Sequence, residues 1–509
     1  MNVFDFLLER GEPGQAALLT EAGPHTYADI RAAADAVAAT CARLGVAKGD
    51  RVAIFADNSL FWVACYLGLL KHGAVAVPFY PTVAPGQFEH LVALTGCRVF
   101  CLHERYLRQF GKLLPDGAAV VLDSPEAAAR HAATHATTWP GQAGPATVPV
   151  AAAVVDEATD LAALMFTSGS TGMPRAVMVT HGNIIANTGD IIASLGLDEH
   201  ERIMCVLPFY YCFGTSLLHT HLRAGGTVVI NNRFAFPQVV LDQLESAACT
   251  GLAGVPSTYQ ILLRNSAFPQ RRFPALRKMQ QAGGKLPDVF IRELRAAQPQ
   301  ADYYLMYGQT EATARLACLP PAELDRKLGS IGKGLPGVTL RVLDDEGRPV
   351  ATGQAGQIVA SGRNITRGYW QDPQGTAEYF RDGALWTGDI ARIDEDGYLF
   401  IVDRVKDFLK PSGHRIASKQ IEDCVVQLPD VVEAAVVGVA DEVLGEAVRA
   451  FVVLRRDATL AGEHVIEHCK AHLPPYAVPK EVVVLGAMPK QASGKLDKLA
   501  LKRWGAPEA

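Results

Sequence analysis

Long apolar runs are missing from this 509-residue chain. None approaches the ~18 residues a membrane-crossing helix requires. The longest, 61–70, runs into Lys71 and His72 and reads as a buried helix. Basic clusters are missing too: the formal net charge is −5 and no aromatic residues interleave a basic patch, so nothing points to nucleic acid. The ten cysteines are scattered without a C-x-x-C pair, which indicates neither zinc nor a disulfide framework. A reducing compartment is expected. The start, MNVFDFLLERGEPG, lacks the basic flank of a secretory signal and has an acid at Asp5. Internal repeats and long linkers are also absent. These absences leave a soluble cytoplasmic protein as the expectation, and its length calls for more than one core.

What is present is an alternation of two patterns. RVAIFA (51–56) reads as a strand, NSLFWVACYLGLLKHG (58–73) as a helix closed by Gly73, and AVAVPFYP as the next strand. RVFCL, AVVLD, LAALMF, RIMCVLP, GTVVI and ADYYLMYG continue the series, mostly with a helix between neighbours. Repeated βα units predict largely parallel sheets covered by helices on both faces. From about residue 329 the texture changes to short strands punctuated by the turns DDEG and DEDG, which predicts a small antiparallel β subdomain. After Asp403 comes a compact α+β tail, with a helix near 418–427, strands at 433–439 and 448–454, a helix near 460–472 and a strand at 480–485. The fold class is therefore α/β. A large N-terminal domain (1–403) of βα-layered sheets carries a β-rich subdomain at about 329–403, and a small α+β domain (404–509) follows. The Ala/Gly/Pro-rich stretch 126–152 is the one loosely structured segment.

TSGSTGMPR (167–175) falls between two of these strands. Gly169 and Gly172 let the backbone approach phosphate oxygens, and Ser168, Ser170, Thr171 and exposed amides donate to them. It is not the P-loop, which needs four residues between its glycines and then Gly-Lys-Ser/Thr opening a helix. Here Pro174 and a strand follow. Alone, the stretch reads equally well as an ordinary hairpin turn. YGQTEAT (307–313) groups an aromatic ring, a hydroxyl and a carboxylate that can stack on a base, bind phosphate and hold a metal. Asp389 follows a Thr-Gly turn, Arg404 precedes a charged segment, and Lys495 sits in a Ser-Gly loop. Each has a plain alternative: a helix-start charge for Glu311, a turn or cap for Asp389, a surface lysine for Lys495.

Taken in order, TYADI, GVAKGDRVAIFADNS, TSGSTGMPR, LPFYYCFG, AGGKL, YGQTEA, GQIVASG, LWTGD, VDRVKD, KPSGHRI and SGKLDK resemble the successive motifs of the adenylate-forming superfamily. That superfamily includes acyl-CoA synthetases, adenylation domains and firefly luciferase. The resemblance covers essentially the whole chain. It implies that a carboxylate attacks the α-phosphorus of ATP, giving acyl-AMP and pyrophosphate, after which a nucleophile takes the acyl group and AMP leaves. It also implies a mobile C-terminal domain. By the same resemblance, Thr167, Ser168, Gly169, Ser170, Thr171 and Gly172 bind the β- and γ-phosphates, with Arg175 closing the loop. Thr310 contacts the α-phosphate and Glu311 ligates Mg²⁺, a hard ion that seeks oxygen. Tyr307 packs on adenine, with Gly283 and Gly284 giving close backbone approach. Asp389 accepts the ribose hydroxyls and Arg404 binds ribose or phosphate. Lys495 bridges carboxylate and α-phosphate, where charge develops. Lys406 is the hinge, and Gly413 lies at the acceptor tunnel.

Several positions depart from the family pattern. Arg175 replaces a usual Lys, keeping charge but not geometry, and Tyr211 replaces a common His. Ser418 and Gln420 replace Pro and Glu, where Ser is a good helix N-cap. Amino-acid-activating relatives place an Asp near 209–216, but FYYCFGTS has no acid, and an unpaired buried ammonium costs several kcal/mol. A non-amino acid with an apolar body is expected, walled by Phe209, Tyr211, Cys212, Phe213, Gly214, Val255, Pro256, Ser257 and Tyr259; plain core packing is the alternative for each. The acceptor is expected to be a thiol, from CoA or carrier-protein pantetheine. PFYYCFGTSLLHTHL and YGQTEATARL also look somewhat like coronafacate-type ligases, which join an acid to an amino acid. A non-catalytic ATP-binding relative and a luciferase-like oxygenase are the remaining alternatives. A monomer or homodimer is expected.

Overall fold

The computed structural model describes residues 1–131, 136–138, 150–167, 174–404, 407–411, 414, 416–441, 445–456, 458–490 and 496–504. Most of the segment 126–152 and all of 168–173 lie outside them.

The central helix Leu60–His72 explains the layering. It is apolar on every side and buried from Phe61 to Lys71, so it has to be covered all round. Ser59 caps its start by accepting from the Trp62 N–H, and Gly73 ends it at φ +83°. Helix Tyr27–Arg43 packs along it, and helix Cys212–Ala224 meets it through the Tyr66–His219 pair, again mostly buried. One continuous core joins all three to strands of both large sheets, through residues such as Val52 and Ala163 on one side and Ile203 and Val228 on the other.

Among the described residues the first sheet has seven strands, in the order 136–138, Ala119–Leu122, Val99–Leu102, Arg51–Phe55, Val75–Pro78, Leu161–Thr167 and Arg175–Thr180. Only the last pairing, around the phosphate-loop motif, is antiparallel. In the second sheet Ala16–Thr20, Thr227–Ile230, Arg202–Cys205, Gly251–Gly254, Lys278–Gln281 and Asp302–Tyr307 run parallel to their neighbours. Antiparallel strands finish both its edges. The short strands after residue 329 form an antiparallel sheet around Ala355–Gly362 and Ala384–Ile393. The C-terminal unit has a three-stranded sheet, Val431–Asp441, Gly445–Leu454 and Glu481–Leu485, with helices Ser418–Val425 and Gly462–His472. The expected α/β class with a small terminal domain is what the chain adopts.

Ser418 is not a cap. Ala417 occupies that position, and Ser418 is the first helical residue. Its N–H and Oγ both donate to Asp403 Oδ2, at 2.7 and 3.2 Å. Proline has no N–H and would lose the shorter bond.

Candidate active site

In an open parallel sheet, ligands gather beyond the carboxyl ends of the strands. Four adjacent strands of the second sheet end together there: Arg202–Cys205, Gly251–Gly254, Lys278–Gln281 and Asp302–Tyr307. The loops that leave them carry 207–211, 255–257, 283–284 and 308–311, so motifs far apart in sequence meet at one edge. Gly283 has φ +88°, and a Cβ on Gly284 would meet Pro256 Cγ at 3.2 Å. These two glycines hold the third and second loops against each other.

Tyr307, Asp389 and Arg404 form one cluster. Asp389 and Arg404 face each other across antiparallel strands Ala384–Ile393 and Leu399–Arg404. The Arg404 Nε donates to Asp389 Oδ1 at 2.9 Å, and the Tyr307 hydroxyl donates to Oδ2 at 2.7 Å. Burial, and then the Asp389 charge, push the Tyr307 phenol far above its ordinary range, so it stays a donor. Asp389 raises the Arg404 pKa in turn. Each carboxylate oxygen has two acceptor positions, so Asp389 retains capacity for further donors.

Glu311 and Arg175 are joined by a residue that sequence reasoning missed. The Tyr369 hydroxyl donates to Glu311 Oε1 at 2.8 Å, and the Arg175 guanidinium lies over the Tyr369 ring at 5.0 Å. Tyr379 also faces Arg175 at 5.7 Å, and Asp372 Oδ2 lies 3.3 Å from its Nε. A planar guanidinium can stack flat on both aromatic faces while its Nε pairs with Asp372, a geometry a lysine ammonium does not reproduce. The only signal in the sequence is the aromatic pair in ITRGYW. Next to Glu311, Thr313 sits at φ +67°, a strained conformation for a β-branched residue. Its Oγ1 is tied to Asn364 O at 2.7 Å. Glu311 supplies one carboxylate, and that fits Mg²⁺, which is held by one or two carboxylates plus substrate phosphates.

The residues expected as pocket walls divide into two groups. Phe209 is fully buried against Trp62, with ring centroids 5.1 Å apart. Tyr259 is fully buried, its hydroxyl donating to Leu252 O and Gln280 O. A Cβ on Gly214 would strike Pro208 O at 2.1 Å. These three belong to the core. Tyr211 precedes helix Cys212–Ala224 and packs edge-on against Tyr210. Val255 caps helix Pro256–Arg264, whose first two residues, Pro256 and Ser257, lie in the same first turn. Cys212 accepts from Thr310 Oγ1 at 3.4 Å, which ties it to the YGQTE motif.

Cys212 also lines a narrow cavity with Thr215, Ser216, His219, Asn187 and Thr313. The cavity encloses about 20 Å³, room for a water or two. Its lining has to move before an acyl body enters, and apolar residues such as Met165, Val179, Ile184 and Ile191 make up much of it. His219 pairs with the Tyr66 hydroxyl at 2.9 Å, and burial pulls its pKa down to about 3, so it is neutral. Phe213 lies on the same helix, under the guanidinium of Arg315 at 4.1 Å.

Thr167 ends strand Leu161–Thr167 at the lip of the phosphate loop. Ser168, Gly169, Ser170, Thr171, Gly172, Lys406, Gly413 and Lys495 lie outside the described residues. The C-terminal unit is docked on the loops around the site. Lys285 Nζ donates to Asp423 Oδ2 at 2.6 Å, and helix Pro256–Arg264 packs on strand Val431–Asp441. No described helix is long and apolar enough to cross a membrane.

Comparison with known proteins agrees with this architecture. Residues 9–370 match the family model of AMP-binding enzymes, and residues 420–495 match the C-terminal domain model of the same enzymes. A long-chain-fatty-acid–CoA ligase of Salmonella typhimurium is 33% identical over 497 residues, spanning 90% of this chain and 86% of the relative. The solved structure of the anthranilate CoA ligase AuaEII in complex with anthranoyl-AMP superposes with a TM-score of 0.89 at 25% identity, covering 98% of this chain and 96% of that one. The amide bond synthetase McbA from Marinactinospora thermotolerans gives 0.87 at 26% identity, covering 99% of both. With both domain models matched in order, the chain belongs to the AMP-binding enzymes, the adenylate-forming superfamily of acyl-CoA synthetases and acid ligases.

Proposed function

We propose that the protein activates a non-amino carboxylic acid with ATP, releases pyrophosphate, and transfers the acyl group from acyl-AMP to the thiol of CoA. The observation that carries this reading is the Tyr307–Asp389–Arg404 cluster at the carboxyl edge of the parallel sheet, beside Thr310 and Glu311. In the first half-reaction a carboxylate oxygen bonds to the α-phosphorus and the bond to the bridging oxygen of pyrophosphate breaks. Thr167–Gly172 and Arg175 hold the leaving phosphates, and Thr310 donates to an α-phosphate oxygen. Mg²⁺ held by Glu311 would neutralise phosphate charge. Asp389 accepts from the ribose with Arg404 beside it, and Tyr307 packs against the adenine. Lys495 places positive charge where the pentavalent oxygens develop. In the second half-reaction a thiolate attacks the acyl carbon and AMP leaves as the anion. The C-terminal domain, 404–509, turns about Lys406 between the two, bringing the segment with Gly413 to the acceptor and withdrawing Lys495.

A second reading has support in the likeness to an amide bond synthetase at 26% identity: an amine, such as that of an amino acid, replaces the thiol. Pyrophosphate release measured with a panel of acids, in the absence of acceptor, with CoA and with amino acids, separates the two. CoA-dependent acyl-CoA production supports the thiol. N-acyl products without CoA support the amine. Absence of pyrophosphate release with every acid overturns the activation reading.

A further inference from the structure

Among the described residues, Arg315 has a cation's side chain in a place without an anion. It is 2% exposed. Its Nε has no hydrogen-bond partner. Among the described residues no carboxylate pairs with the guanidinium, and the ionisable groups acting on it are the thiols of Cys212 and Cys318. Burial lowers its pKa to about 10, which still leaves it a cation at neutral pH. A buried charge is normally paired or hydrogen-bonded, and among the described residues Arg315 is neither. Its close partner is a face of Phe213, 4.1 Å away.

The position is rigidly built. Asn187 accepts from the Arg315 N–H at 3.1 Å, and Asn187 and Asn364 both donate to its carbonyl, at 2.8 and 3.0 Å. The adjoining residues face the cavity. Thr313 and Ala314 line it, as does Cys212, the neighbour of Phe213, and Thr310 is bonded to Cys212. Among the described residues an unpaired guanidinium therefore lies on the face of Phe213 and within electrostatic reach of Cys212, which lines the cavity and accepts from Thr310.

We propose that Arg315 is a specificity residue that binds a second carboxylate on the substrate, so that the activated acid is a dicarboxylic acid. This rests on the acid-activation reading above. One carboxylate reacts at the α-phosphorus, and the other accepts from the Arg315 fork, whose geometry matches a carboxylate. The apolar body expected from the sequence lies between them, against Phe213.

The test uses matched pairs in the pyrophosphate-release assay, adipate against hexanoate and isophthalate against benzoate, with further straight dicarboxylic acids of graded length. Wild type, Arg315→Met and Arg315→Lys are compared. Wild type favours the dicarboxylate of at least one pair. Arg315→Met lowers the dicarboxylate-to-monocarboxylate ratio of kcat/KM by about 100-fold, the scale of a lost charged hydrogen bond, while Arg315→Lys retains part of it. Monocarboxylates preferred throughout in wild type, or equal loss for both acids of a pair in Arg315→Met, overturns the proposal without touching acid activation. If Arg315→Met does not fold, the same ratio is read in Arg315→Lys, where an undiminished ratio with a charge that cannot form a fork counts against it. If no acid releases pyrophosphate, calorimetric binding of the dicarboxylates in the presence of AMP decides. Heat in wild type that is lost in the variants sustains the role of Arg315, and no heat in wild type ends it.

Discussion

The proposed nucleotide side and the proposed acyl side of the cleft treat charge in opposite ways. On the nucleotide side every ionised group that the structure describes is answered: Asp389 by Tyr307 and Arg404, Glu311 by Tyr369, Arg175 by Asp372 and two aromatic faces. On the acyl side His219 is neutral and, among the described residues, Arg315 is unanswered. A side that binds the same nucleotide in every turnover can be organised in advance, at little reorganisation cost. A side that selects one acid leaves its recognition group for the ligand to complete. A site built to hydrogen-bond a substrate rejects the analogue that leaves its polar group unpaired.

The largest expected effect strikes where the two sides meet. Lys495→Ala lowers adenylate formation by on the order of 1,000-fold, while acyl transfer from presynthesised acyl-AMP largely survives. Equal loss of both half-reactions would remove Lys495 from the α-phosphate. On the nucleotide side, Asp389→Ala leaves Tyr307 and Arg404 without their acceptor. It raises the KM for ATP by on the order of 100-fold and lowers stability by about 2 kcal/mol, and the KM for the acid is unmoved. A matching rise in the acid's KM would blur the division between the sides. Glu311→Gln raises the Mg²⁺ concentration for half-maximal rate by about tenfold, and Tyr369→Phe by a few-fold, as expected for a group that orients a ligand. An unchanged magnesium dependence in both would dissociate them from the metal.

The smallest effect is on acid stability. Burial holds His181 and His221 at about 4 and His219 at about 3, below the ordinary 6.5. The unfolded chain therefore takes up these protons first. Stability is intact above pH 6.5 and falls as the pH drops towards 4, by at most about 1.4 kcal/mol per histidine for each pH unit traversed. Tm measured between pH 7 and pH 4 should decline, and His219→Gln, which keeps a partner for Tyr66, should flatten the decline. An unaltered slope in that variant would remove His219 as a contributor.

The motifs make the fold readable because each is a local pattern: βα alternation, a glycine after the buried helix, hydroxyls around Gly169 and Gly172. The strand around 302–307 and the helices near 418 and 462 lie within a few residues of where periodicity puts them. What is not readable depends on packing between distant segments. Tyr259 reads as a wall because it follows a strand end, yet its hydroxyl reaches backward to two carbonyls of that sheet. Tyr369 is 58 residues from Glu311 and carries no motif of its own. Arg315, within YGQTEATARL, gives no sign of being unpaired, because the absence of a nearby acid is a property of the fold. Ser418 reads as a helix cap, since the carboxylate that holds it lies fifteen residues upstream.

That last contact crosses the proposed hinge. Asp403 precedes the proposed hinge at Lys406 and Ser418 follows it, where Lys498 Nζ also reaches its hydroxyl at 2.7 Å. The proposed rotation about Lys406 has to slip this contact, and the Lys285–Asp423 pair with it. In that proposed cycle the two act as a clutch, coupling the small domain to the cleft while they are engaged. A proline at 418 removes the shorter of these bonds, so the serine holds the small domain more firmly in the position described here.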